Sequence, residues 1–174
     1  MFSQAVDGLV RALRPKLTEA AKDELRTLGI DLRKPLEPAY PLTVWMQVIR
    51  YGAGLIAPDR PEAEQMEELG RRFIDGYEET MMGKALLATM RLLGPRRGLE
   101  RMSRNFRTGN NYTETRLEAK SESAYELWLS AVRVPTFYRG MLLAGVGRTN
   151  AKNLDVQLLN HDEAGATFSV TWDP

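Results

Sequence analysis

The hydrophobic period of this chain changes at Thr108-Gly109-Asn110-Asn111. Before that point apolar residues recur at helical spacing, and beyond it they alternate. Four alternating runs then flank one apolar helix, so the chain reads as a helical part followed by strand, strand, helix, strand, strand. Helices and strands segregated in this way predict an α+β fold: a helical N-terminal half packed on one face of a four-stranded, mainly antiparallel sheet. The length of 174 residues suits one domain over 1–174, with a helical part at 1–109 and a ββαββ part at 110–174.

In the helical part, Phe2, Val6, Leu9, Val10 and Leu13 form one stripe that ends at Pro15, and Leu17, Ala21, Leu25 and Leu28 form a second that ends at Gly29. Pro35, Pro38 and Pro41 favour an extended connector. Trp45, Val48, Ile49, Gly52 and Leu55 share a face of a third helix. From Pro61, the period of Met66, Leu69, Phe73, Ile74, Tyr77 and Met81 predicts a long helix over 61–82, bent near Gly76 or Gly83. The apolar face resumes at Leu86, Leu87, Met90 and Leu93 and stops at Gly94-Pro95, after which Leu99, Met102 and Phe106 mark a short sixth helix.

In the second part, Tyr112 to Ala119 and Tyr125 to Ser130 alternate across a loop at Ser121-Glu122-Ser123. Pro135 opens an apolar helix containing Phe137, Met141, Leu142 and Val146. Leu154 to Leu159 and Thr167 to Trp172 make a closing hairpin.

Composition removes several function classes. The chain has no cysteine, which excludes disulfides, thiolate catalysis and cysteine-based metal sites, and a single histidine, His161, which cannot build a histidine cluster. A formal charge of +1 gives no global attraction to nucleic acid or acidic membranes. No run is long enough to cross a bilayer. Asp7 lies inside the first apolar stretch with Arg11 and Arg14 after it, the reverse of a secretion signal, so cytoplasmic residence is expected. No nucleophile elbow, phosphate-binding loop or paired carboxylates at a fixed approach are present, so a non-enzymatic role is expected.

Four features are candidates for function, each with a structural reading beside it. In the segment from Arg91 to Arg107, Arg97, Arg101 and Arg104 fall on one helical face. They form either an anion or nucleotide site or a solvated face paired with Glu62 to Glu68 or with Glu78 and Glu79. Trp45, Phe73, Tyr77, Met81, Met90, Met102 and Phe106 either wall a pocket for an apolar or amphipathic small molecule or fill a core. Asn105, Asn110, Asn111, Tyr112 and Arg116 either orient a ligand at a pocket mouth or satisfy backbone groups in a tight connection. His161, at a strand end beside Asp162, reads as a surface turn residue.

The order PAYPLTVW, ELGRRFIDGY, LLGPRRGLERMSRNFRTGNNYTETR, YELWL and FSVTW resembles an uncharacterised protein family found mainly in myxobacteria, over nearly the whole chain. More distantly, it resembles the heme nitric oxide/oxygen-binding domains, the four-vinyl-reductase-type small-ligand domains and the TRAPP-like fold. These share a proline-tyrosine helix entry, a Gly-x-x-Phe helix, a Leu-Gly break and a ββαββ ending. The resemblance implies helices packed on an antiparallel sheet, with a ligand cavity in some members. It also implies, for heme domains, a proximal histidine within Met102 to Arg107 and a Tyr-x-Ser-x-Arg set for the propionates. This chain has no histidine there, and Glu114 replaces the serine in Tyr112-Thr113-Glu114-Thr115-Arg116, setting a carboxylate against carboxylates.

The expectation is therefore a non-enzymatic, cytoplasmic ligand-sensing or regulatory module. It has an apolar pocket between helices and sheet and no heme or other cofactor. The alternatives are a protein–protein interaction or homodimerisation scaffold, and an anion or nucleotide site on the arginine segment.

Overall fold

The computed structural model describes residues 1–174. Its helices are α1 (Ser3–Leu13), α2 (Glu19–Thr27), α3 (Leu42–Ile56), α4 (Glu62–Glu78), α5 (Met81–Gly109) and α6 (Pro135–Gly147). Its strands are β1 (Thr115–Ala119), β2 (Ala124–Ser130), β3 (Asp155–His161) and β4 (Gly165–Thr171). The α+β class and the ββαββ order follow the change of period.

Local chemistry sets most boundaries where the sequence places them. Pro15 turns the end of α1 into a short 3-10 turn at Arg14–Lys16. The Thr18 hydroxyl accepts from Ala21 N at 3.2 Å to cap α2, and Gly29 ends it with a φ of 107°.

Two boundaries differ from the periodic reading. The helix expected to run to residue 82 ends at Glu78, and a new one starts at Met81. Thr80 decides this: its hydroxyl donates to Tyr77 O at 2.7 Å and accepts from Gly83 N at 3.0 Å, serving the end of one helix and the start of the next. The apolar period crosses the junction unchanged, which is why spacing alone hides it. At Gly94 the backbone leaves the helix with a φ of 75°, yet helix resumes at once from Pro95, so the sixth helix expected from spacing is the second half of α5.

The sheet runs β1-β2-β4-β3 with every neighbouring pair antiparallel. Consequently β2 and β3 point the same way on either side of β4, and α6 makes the crossover between them. Tyr125, Leu127, Leu129, Val156, Ala166, Phe168 and Val170 are buried on the sheet's inner face, where the helices cover it.

The centre of the helical layer is α4, which lies against α1 on one side and α6 on the other. Glycines permit both crossings. A Cβ at Gly70 would lie 2.1 Å from Phe137 O, one at Gly140 would lie 2.1 Å from Glu67 O, and one at Gly76 would lie 2.2 Å from Gly8 O. Ion pairs close the α4–α6 seam at both ends. Arg139 donates to the Glu67 carboxylate and, at 2.6 Å, to Val156 O, while Arg148 donates to Asp75 and, at 2.8 Å, to Glu78 Oε2. Burial pushes the Glu78 carboxyl up, but Arg148 and Arg91 together hold it below the usual carboxylate range.

Candidate functional site

Aromatic side chains from three helices meet beneath α5. Phe73 lies edge-on to Trp45 with centroids 6.1 Å apart, stacks on Tyr77 at 6.0 Å and tilts against Phe137 at 5.7 Å. Phe106 and Tyr138 approach to 6.0 Å on the far side. Between these groups the packing leaves a cavity of about 70 Å³, lined by 17 residues of which 14 are hydrophobic and none has a charged side chain. Water needs only about 10–15 Å³ of such space, whereas a cavity that holds benzene measures roughly 150 Å³. A guest of a few heavy atoms fits as the walls stand.

Trp45, Phe73, Tyr77, Met90, Met102 and Phe106 all line this cavity. Met81 does not: as the first residue of α5 it projects outward and is 88% exposed, because the Thr80 cap resets the helix that would have carried it inward. Spacing also misses part of the wall. Phe137, Tyr138 and Met141 come from α6, and Met1 folds in because its backbone pairs with Tyr40, N to O and O to N, each at 2.8 Å. The Phe137/Met141 spacing is a visible signal for an inward face; nothing in the sequence places Met1.

The polar candidates separate. Asn105 and Asn110 line the cavity, while Asn111, Tyr112 and Arg116 do not. Asn110 also closes the turn from α5 to β1. Its Oδ1 accepts from Tyr112 N at 3.0 Å and Thr113 N at 2.7 Å, and its Nδ2 donates to Phe106 O at 3.3 Å. Asn111 is exposed. Arg116 stands on the outer sheet face with its guanidinium 4.7 Å from the Trp128 ring, whereas the Tyr112 phenol is buried. The two outer members of the Tyr-x-Ser-x-Arg likeness therefore do not act together. His161 ends β3 with Nε2 3.0 Å from Val132 O, outside the cavity wall.

The arginine segment is divided as well. Arg91 pairs with Glu78 at 2.5 Å and Arg96 with Glu100 at 3.5 Å, while Arg104 donates to Glu100 O at 3.2 Å. Arg97 and Arg101 are exposed and have no carboxylate within ion-pair distance. Arg96, Ser103 and Arg104 share an open groove with Leu117, Ala119 and Tyr125 beside β1. On the first half of α5, Met81 and Leu92 are each 88% exposed and give the helix an apolar outer side.

Fold comparison places the chain beside the H-NOX domains. A doubly substituted Tt H-NOX matches with a TM-score of 0.72 at 12% identity, over 100% of this chain and 96% of its own. The Fe(II) unliganded H-NOX protein from K. algicida matches at 0.66 and 12% identity, over 96% and 95%. An oxygen-binding H-NOX domain related to soluble guanylate cyclases, as its oxygen complex, matches at 0.64 and 14% identity, over 100% and 96%. At such identities the likeness is one of fold, and it bears out the distant resemblance to heme nitric oxide/oxygen-binding domains read from the sequence. The chain belongs to the family described as protein of unknown function, DUF2378, whose model matches residues 1–173. No curated protein matches it in sequence. No helix is long and apolar enough to cross a membrane.

Proposed function

We propose that this protein is a non-enzymatic, cytoplasmic ligand-sensing or regulatory module, folded as one domain, whose guest occupies the apolar cavity beneath α5 and is not heme. The observation that carries this reading is a mostly apolar cavity with no charged side chain in its wall, built from several helices around Phe73, in a fold whose solved neighbours include an oxygen-binding domain.

The residues present do not suit heme. Between positions 102 and 107 the cavity wall offers Met102, Asn105 and Phe106 where the resemblance implies a histidine, and the only histidine lies at the end of β3. With no arginine or lysine in the wall, propionates would enter unpaired, a costly burial of charge. Space of about 70 Å³ is also far below the roughly 300–1,000 Å³ of pockets for large ligands.

Xenon tests the cavity without assuming its natural guest, since dry apolar cavities take it up. A crystal pressurised with xenon is expected to show one internal site, bounded by Phe73, Met90 and Met102. A structure with xenon only at surface crevices would contradict the reading.

A further inference from the structure

Beyond Pro95, α5 carries Arg96, Arg97, Arg101, Arg104 and Arg107 against a single carboxylate, Glu100. Like charges three and four residues apart on a helix repel, so the fold gains nothing from this set by itself. One ion pair relieves it, and weakly: Arg96 Nε stands 3.5 Å from Glu100 Oε1, beyond the roughly 2.7–3.2 Å of a good N–H···O bond. Met102, Asn105 and Phe106 bring one side of this segment into the cavity wall. Arg96, Glu100, Ser103 and Arg104 bring another side into a separate, open groove beside β1.

The groove sets cations against apolar surface. Arg96 and Arg104 lie roughly 12 Å apart along the helix axis, a span that two long side chains can share from either end. Arg104 Nε donates to Glu100 O at 3.2 Å, which fixes one edge of the guanidinium and leaves its terminal nitrogens without a protein acceptor. Leu117 and Ala119 of β1 supply apolar wall, and Tyr125 of β2 completes it, its ring stacked on Trp172 with centroids 5.5 Å apart. The space measures about 420 Å³, within the roughly 300–1,000 Å³ of small-molecule sites.

We propose that this groove binds a small amphipathic anion, with a carboxylate or phosphate head held between Arg96 and Arg104 and an apolar body against Leu117, Ala119 and Tyr125. Planar guanidinium forks match the oxygens of either head. A neutral guest leaves the arginines unrelieved, and a bare inorganic anion leaves the apolar wall wet, so neither binds as tightly as a molecule with both parts. Glu100 is the one group in the groove that opposes the anion. The site lies outside the cavity, so its failure leaves the cavity reading untouched.

Four probes separate head from body. Phenyl phosphate and phenylacetate carry the two heads on the same ring, inorganic phosphate lacks the ring, and benzyl alcohol lacks the charge. Each is titrated into the protein at about 0.15 M salt, where exposed charges more than roughly 8 Å away are largely screened, while arginine Nε–Hε and leucine methyl signals are followed by NMR. At least one aryl anion is expected to shift Arg96, Arg104 and Leu117 along one saturable curve, and the tighter of the two identifies the head group. That anion is expected to bind about tenfold more tightly than inorganic phosphate or benzyl alcohol, the first ratio being the equivalent of about 60 Å² of buried apolar surface. Arg104→Gln is expected to weaken it about fivefold and Glu100→Gln to tighten it about twofold, whereas Arg101→Gln, outside the groove, changes it by less than about twofold. None of these three side chains is buried, so the variants are expected to melt like the parent. A loss from Arg101→Gln equal to that from Arg104→Gln would mean diffuse attraction to a basic helix and would overturn the site. So would an aryl anion no tighter than inorganic phosphate, an affinity that Glu100→Gln does not raise, or no saturable binding by either aryl anion.

Discussion

Replacing Gly70 with alanine is expected to destabilise the protein by about 3 kcal/mol, the upper part of the range for overpacking a close contact. The added methyl would sit 2.1 Å from Phe137 O and 3.1 Å from Met141 N, backbone atoms of α6 that cannot rotate out of its way. The helices would have to separate, and the ion pairs of Arg139 and Arg148 that span the same seam would lose their geometry. For a chain of this size the melting temperature is expected to drop by about 6–12 °C. Gly54 supplies the internal control. A Cβ there meets nothing within 4 Å, so Gly54→Ala in α3 is expected to be neutral or stabilising by about 0.5–1 kcal/mol through helix propensity alone. Thermal or denaturant unfolding of the two variants measures the contrast directly. Equal effects would mean that α4 and α6 do not cross as closely as described.

The second large effect is expected at Phe73, which touches Trp45, Tyr77 and Phe137 and lines the cavity. Phe73→Ala is expected to cost about 3–5 kcal/mol, from lost burial and from the volume added to an existing void. Unlike an ordinary core truncation, this one is expected to be partly rescued. Benzene at about 100 times its dissociation constant would return about 2.7 kcal/mol, because it binds the folded state alone. The parent protein, with space for only about 70 Å³, is expected to gain much less from benzene. A Phe73→Ala protein that benzene does not stabilise would indicate that the neighbouring rings collapse into the gap and that no cavity persists there.

Much of this architecture is legible in the sequence because it depends on local pattern. The switch of period near Asn110 separates helices from sheet, Pro15 and Gly29 end the first two helices, and the alternation from Tyr125 to Ser130 marks the inward face of β2. What escapes is decided by contacts distant in the chain or by a single side-chain hydrogen bond. Thr80 splits an unbroken apolar period and so turns Met81 outward. The order β1-β2-β4-β3 depends on how α6 crosses, which hairpin loops do not encode.

The cavity is half legible for the same reason. Trp45, Phe73, Tyr77, Met90, Met102 and Phe106 stand at the spacing of buried helix faces, and that spacing does not reveal whether the faces meet or leave a gap. The missing wall comes from Met1, paired to Tyr40 across 39 positions, and from α6.

The methionines offer the most direct test of an internal, guest-accepting cavity. The chain has eight, of which Met1, Met90, Met102 and Met141 line the cavity while Met46, Met66, Met81 and Met82 do not. With methyl groups labelled with ¹³C, titration with cyclopropane, a guest of three heavy atoms, is expected to shift the first four together along one saturable curve and leave the other four in place. Equal drift of all eight, or shifts confined to the exposed Met81 and Met82, would contradict an internal site and place the hydrocarbon on the surface.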